Sequence, residues 1–229
     1  MFKNQAQKTA ILVFAKTAGQ ETRDKKIPNS LELFNELNSQ ILNEVKKTGV
    51  PYFHVSEELQ SGNTFAERFA NAIQFIFDHG YQKIITVGND SPELKASHIT
   101  TALNALADEK NALGPSKDGG FYLLGIDKSC FDKDDFLRLP WQKQNLFSTI
   151  VAYFDTLGKR VVKLNYLQDI DSVIDVTLII QKLQKSISRQ LRIIINTLFE
   201  NSKTTQVLIS SMIKPIKNKN FDLVRGSPY

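Results

Sequence analysis

The stretch KIITVGNDSPEL, Lys83 to Leu94, decides how this chain folds. Five residues rich in β-branched side chains run into a Gly-Asn-Asp-Ser-Pro bend. A helical pattern follows from about Ser97 to Glu109, with Ile99, Leu103 and Leu106 inward. Strand, bend and helix in that order are the unit from which α/β sheets are wound. Upstream, TAILVFA (Thr9 to Ala15) is a continuous apolar run, as expected of a parallel strand covered on both faces. A polar loop is expected over Lys16 to Asn29. A helix then spans Ser30 to Lys47, with Leu31, Phe34, Leu37, Ile41 and Val45 at helical spacing and Gly49 as its C′ residue. Pro51 to Ser56 reads as a short strand. Thr64 and Glu67 form a capping-box signature for a helix whose Phe65, Phe69, Ile73, Ile76 and Phe77 share one face up to Gly80.

Downstream, strands at Ala112 to Gly114 and Phe121 to Ile126 flank an Asp-Gly-Gly bend. A helix over Asn145 to Leu157, a strand over Arg160 to Asn165 and a helix over Val173 to Leu183 follow. The alternation predicts an α/β domain with a mostly parallel central sheet, and no internal repeat is visible. Beyond Ser186 the pattern is helical only, in SRQLRIIINTLFE and, after a polar break, QVLISSMI. Two units are expected: a domain over 1–185 and a basic helical extension over 186–229, packed on the domain or joining two copies of the chain as a homo-oligomer.

The composition, 41% hydrophobic and 23% charged over 229 residues, is that of a globular protein with one sizeable core. No apolar run approaches the length of a membrane span. The N-terminal segment lacks the pattern of a signal peptide, and the single Cys130 excludes an internal disulfide framework, so a cytoplasmic location is expected. The net charge of +5 is unevenly spread. From Lys182 onward nine Lys/Arg face only Glu200 and Asp222, a balance of +7, which leaves residues 1–181 at −2. The basic character belongs to the extension and reads as a solvated face, so no nucleic acid is expected as a partner.

In open α/β sheets ligands bind beyond the carboxyl ends of the strands. Asp90 directly follows a strand and belongs on that edge, and the strand at Arg160 to Asn165 predicts Asp169 and Asp171 on the same edge. Hard divalent cations take oxygen ligands, Mg²⁺ commonly one or two carboxylates plus substrate phosphates. The Asp118-Gly119-Gly120 bend has two readings: an ordinary tight turn, or a backbone stripped of Cβ atoms so that a ligand ring can approach it. His54, His79 and His98 lie at no metal-ligand spacing, and His79 beside Gly80 suits a structural place at a helix end. Neither a P-loop, a G-x-G-x-x-G nor a G-x-S-x-G occurs.

The pieces GNDSPEL and GPSKDGGFYLLG resemble the two hallmark motifs of a glycosyltransferase-like family in the GT-A (nucleotide-diphospho-sugar transferase) superfamily, the radical-SAM/selenodomain-associated transferases. LPWQKQNLFSTI and DIDSVIDV resemble two further pieces in the family's order, and the resemblance runs over roughly residues 9–184. It implies a GT-A-like, Rossmann-like three-layer sandwich that uses a nucleotide or nucleotide sugar with Mg²⁺ or Mn²⁺. It implies Asp90 and Asp171 as metal ligands, with Asp169 as a further candidate. Asp118 is implied as a catalytic contact, and Gly119 and Gly120 as the substrate or sugar contact. Trp141 would stack on a ring or pack as a lid. The family's first loop, A-K-x-P-x-x-G-x-V-K-T-R-L, is altered here to AKTAGQETRDKKIPN, with Lys16 and Arg23 as candidate phosphate contacts. Three readings follow: a metal-dependent glycosyltransferase, a nucleotidyltransferase of the same fold, or a catalytically inactive interaction module.

Overall fold

A computed structural model describes residues 9–182 and 186–200. The second expected helix of the extension, QVLISSMI, lies outside the described residues. Six strands form one sheet: β1 (Thr9–Phe14), β2 (Tyr52–Val55), β3 (Lys83–Val87), β4 (Asn111–Pro115), β5 (Phe121–Asp127) and β6 (Val161–Lys163). The described helices are α1 (Ala18–Lys25), α2 (Leu31–Lys47), α3 (Phe65–Asp78), α4 (Ala96–Ala107), α5 (Lys133–Arg138), α6 (Leu146–Thr156), α7 (Val173–Lys182) and α8 (Arg189–Glu200). The strand order is β2-β1-β3-β5-β4-β6. β5 alone runs antiparallel to its neighbours, β3 and β4, and the other pairings are parallel. The sheet is therefore mixed and mostly parallel.

Both faces of the sheet are covered, which is why β1 reads as unbroken apolar sequence. Ala10 and Leu12 face Phe69, Ile73, Ile76 and Phe77 of α3, with α5 and α6 beside it. Ile11 and Val13 face Ile41 and Val45 of α2 and Ile99 and Leu106 of α4. Helix, sheet and helix make three layers. A third apolar cluster lies at one end, where Leu33, Phe34 and Leu37 of α2 meet Ile179 of α7 and Leu191, Ile194 and Ile195 of α8. The first helix of the expected extension thus packs on the domain.

The capping box at α3 is formed: Glu67 N donates to Thr64 Oγ1 at 3.1 Å and Thr64 N to Glu67 Oε2 at 3.2 Å. His79 closes that helix, with Nδ1 2.7 Å from the Phe75 carbonyl. Three local expectations are corrected. Leu31, at the first turn of α2, is exposed, and Leu33 joins Phe34, Leu37, Ile41 and Val45 in the core. The short α5 is a helix that no apolar period announces. The expected loop over Lys16 to Asn29 contains α1. It buries only Ala18 and Glu21, so it has almost no apolar stripe, and polar contacts hold it instead. Thr17 caps it by accepting from Gln20 N, the Glu57 carboxylate accepts from the Thr17 N–H and hydroxyl, and Lys16–Asp24 and Arg23–Gln20 tie its surface. No described helix is long and apolar enough to cross a membrane.

Candidate active site at the carboxyl edge of the sheet

The carboxyl ends of β1, β3 and β4 and the start of β5 surround a cavity of about 440 Å³. An aromatic wall is formed by Phe14, Phe65, Phe69, Phe121 and Trp141, whose rings pack on one another. An acidic wall is formed by Asp90, Asp118, Asp169 and Asp171, with the other three close enough to act on the charge of Asp169. All four aspartates singled out in the sequence therefore meet in one place.

The loop after β3 is fixed from α2. Asn89 donates to Asn38 Oδ1 at 2.6 Å, and Gln40 donates to the Pro92 carbonyl at 2.6 Å. Ile170 N donates to the Asp90 carbonyl at 3.0 Å, which brings the DIDS segment against the loop. The three aspartates of DIDSVID then separate by role. Asp169 accepts from the Ser91 hydroxyl. Asp171 faces Lys25, with Nζ to Oδ1 at 3.1 Å. Asp175 accepts from Ser172 Oγ at 2.7 Å and Asp171 N at 3.2 Å, an acidic cap on the first turn of α7.

Lys25, the last residue of α1, is not itself a lining residue but lies behind the cavity against two of its aspartates, Asp90 and Asp171. Its ammonium donates to Asp90 and, at 2.7 Å, to the Ile170 carbonyl, and it lies 3.5 Å from Glu21. Burial opposes its charge, but Asp90, Glu21 and Asp171 outweigh that and hold its pKa above the usual lysine range. Burial, reinforced by Asp90, pushes Glu21 up to about 7. Burial also raises Asp169 to about 7; Asp90, Asp118 and Asp171 add to this, while the Ser91 hydrogen bond opposes it. Asp171 is raised by burial and drawn back by Lys25.

These shifts have a sign. A carboxyl whose folded pKa exceeds its unfolded value binds more protons in the native state, so its contribution falls as pH rises from about 4 to about 7. Without metal, Asp169→Asn should therefore gain Tm relative to wild type between pH 5 and pH 8. A Tm difference that does not move with pH would contradict the raised Asp169.

The bend at Asp118 is both a turn and part of the cavity wall. Asp118 Oδ1 accepts from Ser116 Oγ at 2.5 Å and from Gly120 N at 2.9 Å, and its Oδ2 makes no hydrogen bond among the described residues. The β4–β5 register shifts at Gly114/Pro115, at the rim. Gly119 has φ +93°, and a Cβ there would lie 2.1 Å from the Gln144 carbonyl oxygen. Its own carbonyl accepts from Phe147 N at 3.0 Å, locking the bend to the start of α6. Gly119→Ala should cost about 1–3 kcal/mol for the backbone conformation alone. That is a Tm loss of roughly 2–12 °C at this chain length, and a variant melting with wild type would contradict it. Gly120 and Trp141 line the cavity. The indole N–H of Trp141 donates to the Phe136 carbonyl at 2.6 Å, so the ring is anchored as well as presented.

Lys16 and Arg23 are not among the lining residues; they pair with Asp24 and Gln20 on the outer face of α1. Lys143 and Tyr122 are further lining residues, Tyr122 donating to the Asn165 carbonyl at 3.0 Å, while Lys25, which does not line the cavity, meets it through Asp90 and Asp171. Among the described residues no group of three His, Cys, Asp or Glu is arranged to hold a metal ion unaided. The donor set still suits a hard cation. Asp90 and Asp171 converge on one cationic point, now taken by an ammonium, and Mg²⁺ is commonly held by two carboxylates with water and phosphate completing its shell.

A family model described as an uncharacterized protein conserved in bacteria (DUF2064) matches residues 5–143. No curated protein matches. Among solved structures, a Desulfovibrio desulfuricans protein provisionally assigned as a nucleotide-diphospho-sugar transferase is similar at TM-score 0.69 and 23% identity, over 90% of this chain and 96% of that one. A cytidylyltransferase from Leptospira borgpetersenii aligns at TM-score 0.45 and 18% identity, over 85% and 94% of the two chains. A manganese complex of Rv0371c from Mycobacterium tuberculosis aligns at TM-score 0.44 and 12% identity, over 77% and 100%. The first likeness shows a fold of the nucleotide-diphospho-sugar transferase type; the other two are too distant to bear on the site.

Proposed function

This chain belongs to the DUF2064 family, and from that premise and its site we propose that it is a transferase acting on a nucleotide-activated substrate, a nucleotide sugar in the leading reading. The observation that carries the proposal is that one cavity is lined both by an aromatic cluster and by four aspartates, two of which hold a buried cation. The aromatic wall suits the flat face of a base or sugar ring. The acidic wall, with Lys25 paired to Asp90 and Asp171 behind it and Lys143 in the lining, suits a pyrophosphate accompanied by a divalent ion.

Asp90 and Asp171 would hold Mg²⁺ or Mn²⁺, with Asp169 behind them. The ion would neutralise charge that builds on the leaving phosphate oxygens. Lys25 would meet the phosphates, and the Oδ2 of Asp118 would accept from a hydroxyl of the donor or acceptor. The motif resemblance to the radical-SAM/selenodomain-associated transferases supports glycosyl over nucleotidyl transfer. The altered first loop, which motivated an inactive module, forms the helix that delivers Lys25, and that favours a working site.

The test is a thermal-shift panel of nucleoside di- and triphosphates of the five bases, with and without Mn²⁺. A ligand at 100 times its dissociation constant stabilises by about 2.7 kcal/mol, a shift of roughly 5–11 °C here. A metal-requiring shift with one base is expected. Silence across the panel in folded protein would favour the interaction module.

A further inference from the structure

Lys25 stands where a metal ion would have to stand. Its ammonium donates to Asp90, lies 3.1 Å from Asp171 Oδ1 and gives a further hydrogen bond to the Ile170 carbonyl, with the Phe34 ring 5.4 Å away. The side chain is only 11% exposed. An ammonium and a divalent ion cannot share one point between two carboxylates, because they repel and each needs the same oxygens. A buried ammonium leaves its partners only if others replace them. Phosphate oxygens are such partners, and the four-carbon stem can swing without moving α1.

We propose that Lys25 bars a divalent ion from Asp90 and Asp171 until the phosphates of a nucleotide draw its ammonium away, so that metal and nucleotide bind as a coupled pair. The first half depends only on the ion pairs; the second rests on the nucleotide reading above. Coupling is reciprocal, so each ligand raises the affinity of the other by the same factor, commonly 5- to 150-fold.

The probe is Mn²⁺ alone, counted by the electron paramagnetic resonance signal of the free ion. Lys25→Met should bind Mn²⁺ at least about tenfold more tightly than wild type, as expected when a coupled competitor is removed. Asp90→Asn in that background should remove the gain. Lys25→Arg, which keeps the charge, should stay weak. Lys143→Met, which removes a cation of the cavity that does not hold the two aspartates, should gain far less. Lys25→Met binding Mn²⁺ no more tightly than wild type, or Lys143→Met gaining as much, would overturn the proposal. Each variant is checked by circular dichroism; if Lys25→Met does not fold, Glu21→Gln/Lys25→Met removes the stranded neighbouring carboxylate and carries the same comparison. Nucleotide binding that is equally tight with Mn²⁺ and with chelator would overturn the coupling. If no nucleotide binds at all, the transferase reading fails, and the Mn²⁺ series still decides whether Lys25 blocks the ion.

Discussion

Asp90→Asn should weaken nucleotide binding in the presence of Mn²⁺ by roughly 5- to 150-fold while leaving the fold in place. The size follows from what the carboxylate does. It is one of the two oxygen donors that converge on one cationic point, so without it the ion, and the affinity that the ion lends to the nucleotide, is lost. That coupling between two ligands is commonly worth about 5- to 150-fold. The amide keeps the shape, and the backbone bond from Ile170 N to the Asp90 carbonyl is untouched. Lys25 retains Glu21 and Asp171 as neighbours, so the ammonium is not left alone. Calorimetric titration of the variant with the best nucleotide of the panel decides it. Unchanged affinity would remove Asp90 from the binding site.

Phe69→Ala should cost the protein about 3–5 kcal/mol, the usual range for truncating a buried phenylalanine. That is a fall of roughly 6–20 °C in Tm at this chain length. Phe69 is 3% exposed and sits at the hub of the aromatic wall, with ring centroids 5.2 Å from Phe14, 5.8 Å from Phe65 and 5.2 Å from Trp141. Its loss removes the backing of the wall as well as core volume, so ligand affinity should fall in the protein that remains folded. Phe75→Ala, half exposed on the same helix, is the control and should cost far less. Equal melting of Phe69→Ala and wild type would show that the wall does not depend on this ring.

The elements with an apolar period were legible in the sequence. β1 and β3 announce themselves by continuous apolar runs, and α2, α3 and α8 by stripes that the structure buries. The direction of β5 was not, because alternation of side chains is the same in a parallel and an antiparallel strand. α1 was hidden for another reason: its helix rests on a cap and on side-chain pairs, and its buried surface is little more than Ala18 and Glu21. That omission also hid Lys25. Among Arg23, Lys25 and Lys26 nothing in a presumed loop distinguishes one cation from the next. On a helix capped by Thr17, the i,i+4 spacing of Glu21 and Lys25 marks one face, and it is the face that meets Asp90. Asp90, Asp169 and Asp171 came together as strand topology predicts, whereas the place of Asp118 beside them was legible only through the motif resemblance. Lys16 and Arg23 were candidates from the altered first loop of the family that the sequence resembles; Lys16, ahead of the helix, pairs with Asp24, and Arg23 with Gln20 on the exposed side of α1.

The most direct measurement uses the protein's own chromophore. Trp141 is the single tryptophan of the chain and lines the cavity. Its fluorescence, titrated with nucleoside diphosphates of each base in the presence of Mn²⁺ and again with chelator, reports on the site and nowhere else. Saturable, base-selective quenching that requires Mn²⁺ is the predicted result. Fluorescence unmoved by every nucleotide, in protein whose circular dichroism shows it folded, would contradict the reading of this cavity as a nucleotide site.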